Sequence, residues 1–278
     1  MGREAGQPLK KGHSRDIFKI LLHVIYVIER FAISVMKIAV ISDIHGNLPA
    51  LSACYKKIRG LGIQNIVCLG DMVGYNPWPN DCVEFIKENR FPAVMGNHDR
   101  VACGLAEPTN FNASAREAIL WTRENLSEDN KTFLKSLPDR IDIEGRLLLV
   151  HGSPLDPDEY LFSDSSAKRN IAFMRDESEA SVCFFGHTHC PVVFMAYNDD
   201  VEVLYEKHLF LEERICLINP GSVGQPRDGD FRSSFAVFDE KKMSVDFYRV
   251  EYDIDMVYQE ILEAGIDPYL GRRLFLGR

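Results

Sequence analysis

The sequence contains no run of uncharged apolar residues long enough to cross a lipid bilayer, which takes about 20 residues. It has no excess of positive charge, because its formal net charge at pH 7 is −9. Neither duplex nucleic acid nor a membrane is therefore an expected partner. No G-x-G-x-x-G loop follows the first predicted strand, which argues against a Rossmann nucleotide-binding protein. An anionic substrate would need local cations, and bound metal ions are the obvious candidates.

The seven cysteines show no close pairing of the kind found in zinc knuckles or redox dithiols. Several lie inside apolar runs, among them Cys68 and Cys183. We therefore expect small buried hydrophobic residues in a reducing compartment, and hence a cytoplasmic protein.

Residues 1–35 differ from the rest of the chain. The first 15 are polar and basic, and apolar residues then recur at helical spacing as far as Phe31. A signal peptide is an alternative, but no small-residue cleavage site follows. Because Met36 directly precedes a strong strand, we predict that residues 1–35 are an N-terminal extension or an upstream translation start. The folded domain is then expected to span residues 36–278.

From Met36 onward, short apolar strands alternate with amphipathic helices. Strands are predicted at 37–41, 66–69, 93–95, 147–150, 181–185, 191–196, 201–206, 214–218, 234–239 and 243–249. Helices are predicted at 48–60, 80–89, 112–126 and 128–136, with one or two more between 253 and 275. Since no internal repeat or flexible linker interrupts this pattern, a single α/β domain is expected.

Polar side chains follow five of the predicted strands at the point where each strand ends. These residues are Asp43, Asp71, Asn97, His151 and His187. Taken singly, each is explained as well by a turn, a helix cap or a structural histidine. In open α/β sheets, however, ligands bind at the carboxyl ends of strands. Five such residues together therefore favour a single ligand site.

Two of these positions begin pairs of residues that are two apart, Asp43 with His45 and His187 with His189. In extended backbone, both members of such a pair face the same way. Carboxylates beside imidazoles suit borderline cations such as Mn²⁺, Fe²⁺ or Zn²⁺ better than Ca²⁺. The pattern therefore indicates a metal site.

These segments resemble the calcineurin-like metallophosphoesterase family. The matching blocks are Ser-Asp-Ile-His-Gly-Asn at 42–47, Gly-Asp at 70–71, Gly-Asn-His-Asp at 96–99, His-Gly at 151–152 and Gly-His-Thr-His at 186–189. The run Asn-Pro-Gly-Ser-Val-Gly-Gln-Pro-Arg at 219–227 resembles the small bacterial and archaeal phosphodiesterase branch. The resemblance implies an α/β fold, a four-layer sandwich of two mixed β-sheets flanked by helices.

The resemblance also implies two divalent metal ions. It assigns the first to Asp43, His45 and His189. It assigns the second to Asn97, His151 and His187. Asp71 would bridge both. Such ions, about 3.5–4 Å apart, bind phosphate oxygens and turn a bridging water into the attacking hydroxide. Mn²⁺ is the expected ion, with Fe, Zn, Ni and Mg as alternatives.

His98 would lie beside the metals without ligating them. It is expected to act as the general acid that protonates the leaving alkoxide, because imidazole titrates near neutrality. Asp99 is a candidate for orienting His98, although a helix cap explains Asp99 equally well.

The substrate is less closely defined. Arg227 and Arg100 are candidate phosphate contacts, with solvated surface arginines as the alternative. The Asp-Arg-Gly run of the protein phosphatases does not follow Asp71. We therefore expect a phosphodiester of a small, nucleotide-like compound. The alternatives are a dinucleoside polyphosphate hydrolase, a phosphomonoesterase, or a non-catalytic metal-binding scaffold such as the family's retromer subunit.

Overall fold

The computed structural model describes residues 37–278, so the predicted extension over residues 1–35 lies outside the described residues. The strands are β1 (Lys37–Ile41), β2 (Asn65–Cys68), β3 (Arg140–Ile143), β4 (Leu147–Val150), β5 (Val182–Phe184), β6 (Val192–Tyr197), β7 (Asp200–Leu204), β8 (His208–Phe210), β9 (Cys216–Asn219), β10 (Ser233–Asp239) and β11 (Ser244–Val250). The helices are α1 (Leu48–Gly60), α2 (Pro79–Asn89), α3 (Asn97–Ala102), α4 (Ala113–Asn125), α5 (Glu128–Lys135), α6 (Asp164–Glu177), α7 (Ile254–Glu263) and α8 (Pro268–Leu274).

The strands form two mixed sheets. One has the order β2-β1-β10-β11-β8 and the other the order β3-β4-β5-β9-β6-β7. The rings of Phe184 and Phe238, one from each sheet, pack with their centroids 6.0 Å apart. Burial of such apolar side chains between the sheets drives their association. The predicted α/β architecture of two mixed sheets is confirmed.

Helices cover the outer faces of both sheets. Helix α1 begins at its cap residue Asn47, whose side chain accepts a hydrogen bond from the amide of Ala50, and it packs on β10 and β11. Helix α6 packs on β6, β7 and β9, and it buries Ile171 and Met174. Apolar residues at helical spacing therefore provide the two outer layers.

The strands that lead to the site are short and wholly or almost wholly apolar. β1 runs parallel to β2, and β4 runs parallel to β5, which in turn runs parallel to β9. Strands buried on both faces are expected to be continuous apolar runs, as in the Leu-Leu-Leu-Val of β4. Parallel pairing brings their carboxyl ends to the same edge.

Some elements differ from the sequence-based expectation. The predicted strand at 93–95 is a single bridge between Cys68 and Ala93. The sequence does not predict the edge strands β3 and β8, because both are short and partly exposed and β3 also carries charged residues. Helix α6 was also missing, because its buried positions include polar Ser166 and Asn170.

Two expectations concern the chemistry of the whole domain. All seven cysteines are free, and all but Cys190 are buried, which confirms the expected burial for six of them. Across residues 37–278, no helix is both long enough and apolar enough to span a bilayer.

Candidate metal centre

The structure gathers the polar residues that follow the strands into one buried cluster. The loops after β1 and β2 lie against each other, since the amide of His45 donates to the carbonyl of Asp71 at 2.8 Å. The loops after β4 and β5 are joined in the same way, from Gly186 to His151 at 2.7 Å. The amide of His187 donates to the carboxylate of Asp43 at 3.2 Å, which connects the two sheets.

The first group of side chains consists of Asp43, His45 and His189. The Nε2 atoms of the two histidines lie 3.1 Å apart. The Nε2 atom of His189 lies 3.3 Å from Oδ1 of Asp43. All three side chains are buried, so they form an enclosed set of two nitrogens and one carboxylate.

The second group consists of Asn97, His151 and His187. Nε2 of His151 lies 3.1 Å from Oδ1 of Asn97 and 3.1 Å from Nδ1 of His187. Asn97 reaches this position because it is the first residue of α3, which begins directly after Gly96.

Asp71 lies between the two groups. Its Oδ2 atom is 3.6 Å from Nε2 of His45 in the first group and 3.4 Å from Nε2 of His151 in the second. Its Oδ1 atom accepts a hydrogen bond of 2.8 Å from the amide of His98, which holds the carboxylate in place. Asp71 is thus the residue that faces both groups.

Hydrogen bonds to the main chain set the protonation of three histidines. The Nδ1 atoms of His45, His151 and His189 lie 3.0, 2.8 and 2.6 Å from the carbonyl oxygens of Val73, Leu69 and Gln225. A carbonyl can only accept, so each Nδ1 carries the proton and each Nε2 faces the cluster.

This arrangement fits divalent cations. Burial lowers the pKa of His45 and of His189, so both are neutral and their lone pairs face each other. Although burial opposes it, the charge of Asp71 raises the pKa of His151 to about 10. The cluster therefore favours positive charge at His151. The lone pairs on Nε2 of His45 and Nε2 of His189 repel each other, and a cation bound between them would remove that repulsion.

The backbone of the ligand segments corrects one prediction. The paired residues were expected to be extended, but five of the candidate ligands have positive φ angles between 51° and 67°. These residues are Asp43, His45, Asp71, His187 and His189. Each such residue costs about 1–3 kcal/mol and persists only where the surrounding structure holds it, and such strain is typical of functional sites. Tight turns, rather than extended strands, therefore direct both members of each pair into the cluster.

His98 lies at the boundary between this cluster and an open pocket. Its ring packs against those of His45 and Tyr75, with centroids 4.7 Å away in each case, and burial lowers its pKa to about 4. Nδ1 is enclosed and has no hydrogen-bond partner among the described residues. It faces Gly74, where a β-carbon would lie 2.5 Å from it.

Asp99 does not contact the His98 ring through any hydrogen bond in residues 37–278. Its carboxylate accepts from the amides of Met72, Val73 and Gly96 at 2.9, 3.3 and 3.1 Å. These contacts cap α3 and tie it to the loop that follows Asp71. The geometry thus corresponds to the helix cap, one of the two roles that the sequence left open.

A pocket of about 390 Å³ opens beside His98, Asn97 and His187. Both candidate arginines line it. Arg227 donates to Oε1 of Gln225 at 2.9 Å and to the hydroxyl of Tyr75 at 3.3 Å. Arg100 forms an ion pair of 2.9 Å with Asp139, so part of its charge is neutralised.

Two of the pocket residues that the sequence does not predict are Tyr160 and Arg273. The ring of Tyr160 packs on the imidazole of His187 with centroids 3.7 Å apart. Arg273 reaches the pocket from α8, near the end of the chain. Neither residue belongs to a recognisable motif, and only the fold brings them to the site.

Comparison with known proteins gives consistent matches. The model of the calcineurin-like phosphoesterase superfamily domain matches residues 36–243. The uncharacterized protein MJ0912 of Methanocaldococcus jannaschii is 42% identical over 248 residues, which cover 87% of this chain and 98% of that protein. A metallophosphoesterase structure from Sphaerobacter thermophilus aligns at 37% identity and a TM-score of 0.78, covering 88% of this chain and 100% of that one. Phosphodiesterase YfcE of Escherichia coli is 26% identical over 218 residues, 76% of this chain and 91% of YfcE.

Proposed function

We propose that this chain, which belongs to the calcineurin-like phosphoesterase superfamily and hydrolyses phosphate esters, cleaves phosphodiesters with two divalent metal ions. The observation that carries the proposal is the position of Asp71, whose Oδ2 faces Nε2 of His45 at 3.6 Å and Nε2 of His151 at 3.4 Å. A carboxylate shared by two enclosed ligand groups is suited to bridging two ions.

Each ligand group would hold one ion. Asp43, His45 and His189 would bind the first, and Asn97, His151 and His187 the second. Bound there, the ions would polarise the phosphate and lower the pKa of a water molecule. Mn²⁺ is the proposed ion, because the set mixes carboxylate and amide oxygens with imidazole nitrogens. The neutral amide of Asn97 leaves the second ion more electrophilic than a carboxylate would.

His98 is the proposed general acid. It lies at the mouth of the cluster, it lines the pocket, and it is held by the hydrogen bond from its amide to Asp71. Burial keeps its imidazole neutral in the free protein, but the negative charge of a bound phosphate favours the protonated form. The proton is then delivered to the leaving oxygen.

The pocket supports a small, nucleotide-like substrate. Arg227 has no carboxylate partner among the described residues and is proposed to contact a phosphate group of the substrate. The aromatic rings of Tyr75, Phe111 and Tyr160 line the same pocket and are suited to packing on a sugar or base. A cytoplasmic location stays a prediction, supported by seven free thiols.

We expect hydrolysis of bis-p-nitrophenyl phosphate in the presence of Mn²⁺, with a higher kcat/KM than for p-nitrophenyl phosphate. Both compounds release the same chromophore, so the comparison isolates the effect of the second ester group on kcat/KM. Preference for the monoester would show a phosphomonoesterase. Absence of metal-dependent turnover with either compound would contradict the proposed function.

We expect Gly74→Ala to lower kcat for cleavage of a thymidine dinucleotide about a hundredfold, because the added methyl group displaces the His98 ring. The new β-carbon would lie 2.5 Å from Nδ1 of His98, and Gly74 has a φ of 94°. Gly62→Ala is the matched control, since Gly62 also has positive φ, 77°, but open space around its β-position. Equal activity of the two variants would show that the position of His98 does not matter.

A further inference from the structure

Three arginines line the pocket, and they differ in whether a carboxylate neutralises them. Arg100 pairs with Asp139 at 2.9 Å. Within residues 37–278, the guanidinium group of Arg227 bonds only to neutral groups, those of Gln225 and Tyr75. Arg273 packs over the ring of Tyr269, with its guanidinium carbon 5.7 Å from the ring centroid, and forms no ion pair within residues 37–278. Two unpaired guanidinium groups therefore share one pocket.

Arg227 and Arg273 line the same pocket, and both are partly removed from water. Burial and the positive charge of Arg227 lower the pKa of Arg273. Like charges that share a partly buried pocket repel, and neither arginine forms an ion pair with a carboxylate in the described part of the chain. The acidic residues of the pocket are otherwise engaged or exposed, since Glu107 pairs with Arg123 and Asp158 lies in solvent. An anionic ligand group would provide the missing charge.

Tyr75 contacts both Arg227 and the His98 ring beside the metal centre. Its ring packs on His98 at a centroid distance of 4.7 Å, and Arg227 lies over the same ring at 5.7 Å. An anion held by the arginines would thus lie one tyrosine ring away from the phosphate that is cleaved. The pocket that His98 and both arginines line has a volume of about 390 Å³, which is large enough for a nucleotide-sized group.

We propose that Arg273, together with Arg227, forms a second anion subsite, which selects phosphodiesters that carry an additional phosphate on the far side of a nucleoside or a group of similar size. Planar guanidinium groups bind phosphate through paired N–H donors, and such charge-assisted hydrogen bonds are strong. The inference rests on the proposed function, because it identifies the substrate class of the same site.

The test compares two substrates that differ by one phosphate. Thymidine 5′-(p-nitrophenyl phosphate) and its 3′-phosphorylated form share the scissile diester and the leaving group. We expect the full chain with Mn²⁺ to prefer the 3′-phosphorylated form in kcat/KM by about tenfold or more. Arg273→Ala should reduce this preference about tenfold, and Arg273→Lys, which keeps the charge, should reduce it less.

Arg272→Ala is the matched control, because Arg272 is exposed on the same helix and does not line the pocket. It should leave the preference intact. An Arg273→Ala preference within twofold of the wild type would overturn the subsite, as would a wild type that does not distinguish the two substrates.

A binding measurement separates this inference from the proposed function. Calorimetric titration with thymidine 3′,5′-bisphosphate and with thymidine 5′-monophosphate needs no turnover. We expect tighter binding of the bisphosphate by the wild type, and a loss of that difference in Arg273→Ala. A chain that hydrolyses neither diester but shows this binding difference would contradict the proposed function alone. Equal binding of both nucleotides would contradict the subsite.

Discussion

The Asp71→Asn variant is expected to lose both metal ions and to lose activity on bis-p-nitrophenyl phosphate by at least about a thousandfold. This factor corresponds to about 4 kcal/mol of transition-state stabilisation. The asparagine can still accept the hydrogen bond from the amide of His98 at Oδ1. Its amide nitrogen, however, would replace the Oδ2 atom that faces His45 and His151. Fold and volume are kept while the shared negative ligand is removed. Elemental analysis and steady-state kinetics measure the two effects.

A matched control exists on the surface of the same protein. Asp246 also pairs with a histidine, His208, at 2.8 Å, but it lies on β11 outside the cluster. Asp246→Asn should keep both metals and full activity. If Asp71→Asn retained two ions per chain, or lost one and kept the other, Asp71 would not be a shared ligand.

The His98→Ala variant is expected to keep both metals. Its loss of activity should be larger for substrates whose leaving group must be protonated than for substrates whose leaving group departs as a stable anion. A sugar alkoxide leaves poorly without protonation, so cleavage of a thymidine dinucleotide should slow by about a hundred- to ten-thousandfold. The p-nitrophenolate anion leaves readily, so bis-p-nitrophenyl phosphate should be affected much less. Removing the ring leaves all seven proposed ligands in place.

The dependence on the leaving group distinguishes a proton donor from a residue that only shapes the pocket. His208→Ala, on the exposed strand β8, controls for the loss of a histidine. Equal losses with both substrates would mean that His98 positions the phosphate instead of donating a proton. Loss of metal from the His98→Ala variant would show that His98 is a metal ligand.

The sequence predicted the architecture and the membership of the cluster for a physical reason. Buried parallel strands are short apolar runs, so their ends are visible in the sequence, and polar residues at those ends stand out. Asp43, Asp71, His151 and His187 were all recognised in this way, and the structure places them together. The element boundaries at α1, α4 and α5 also agree to within one or two residues.

What the sequence did not predict depends on long-range packing. The left-handed backbone at His45 and His189 is not dictated by either residue type, since the surrounding fold must impose such a conformation. Arg273 and Tyr160 belong to no motif, and only the docking of α8 and of the loop before α6 places them at the pocket. The choice between two roles for Asp99 likewise needed the positions of three backbone amides.

The most direct test of two-metal hydrolysis is a titration of Mn²⁺ into the chelator-treated chain, with bound metal and hydrolysis of bis-p-nitrophenyl phosphate followed together. The two ligand groups joined by Asp71 predict no activity without metal and a rise that ends when two ions are bound per chain. Activity that survives chelation, or that is complete when one ion is bound, would contradict a catalytic centre of two ions.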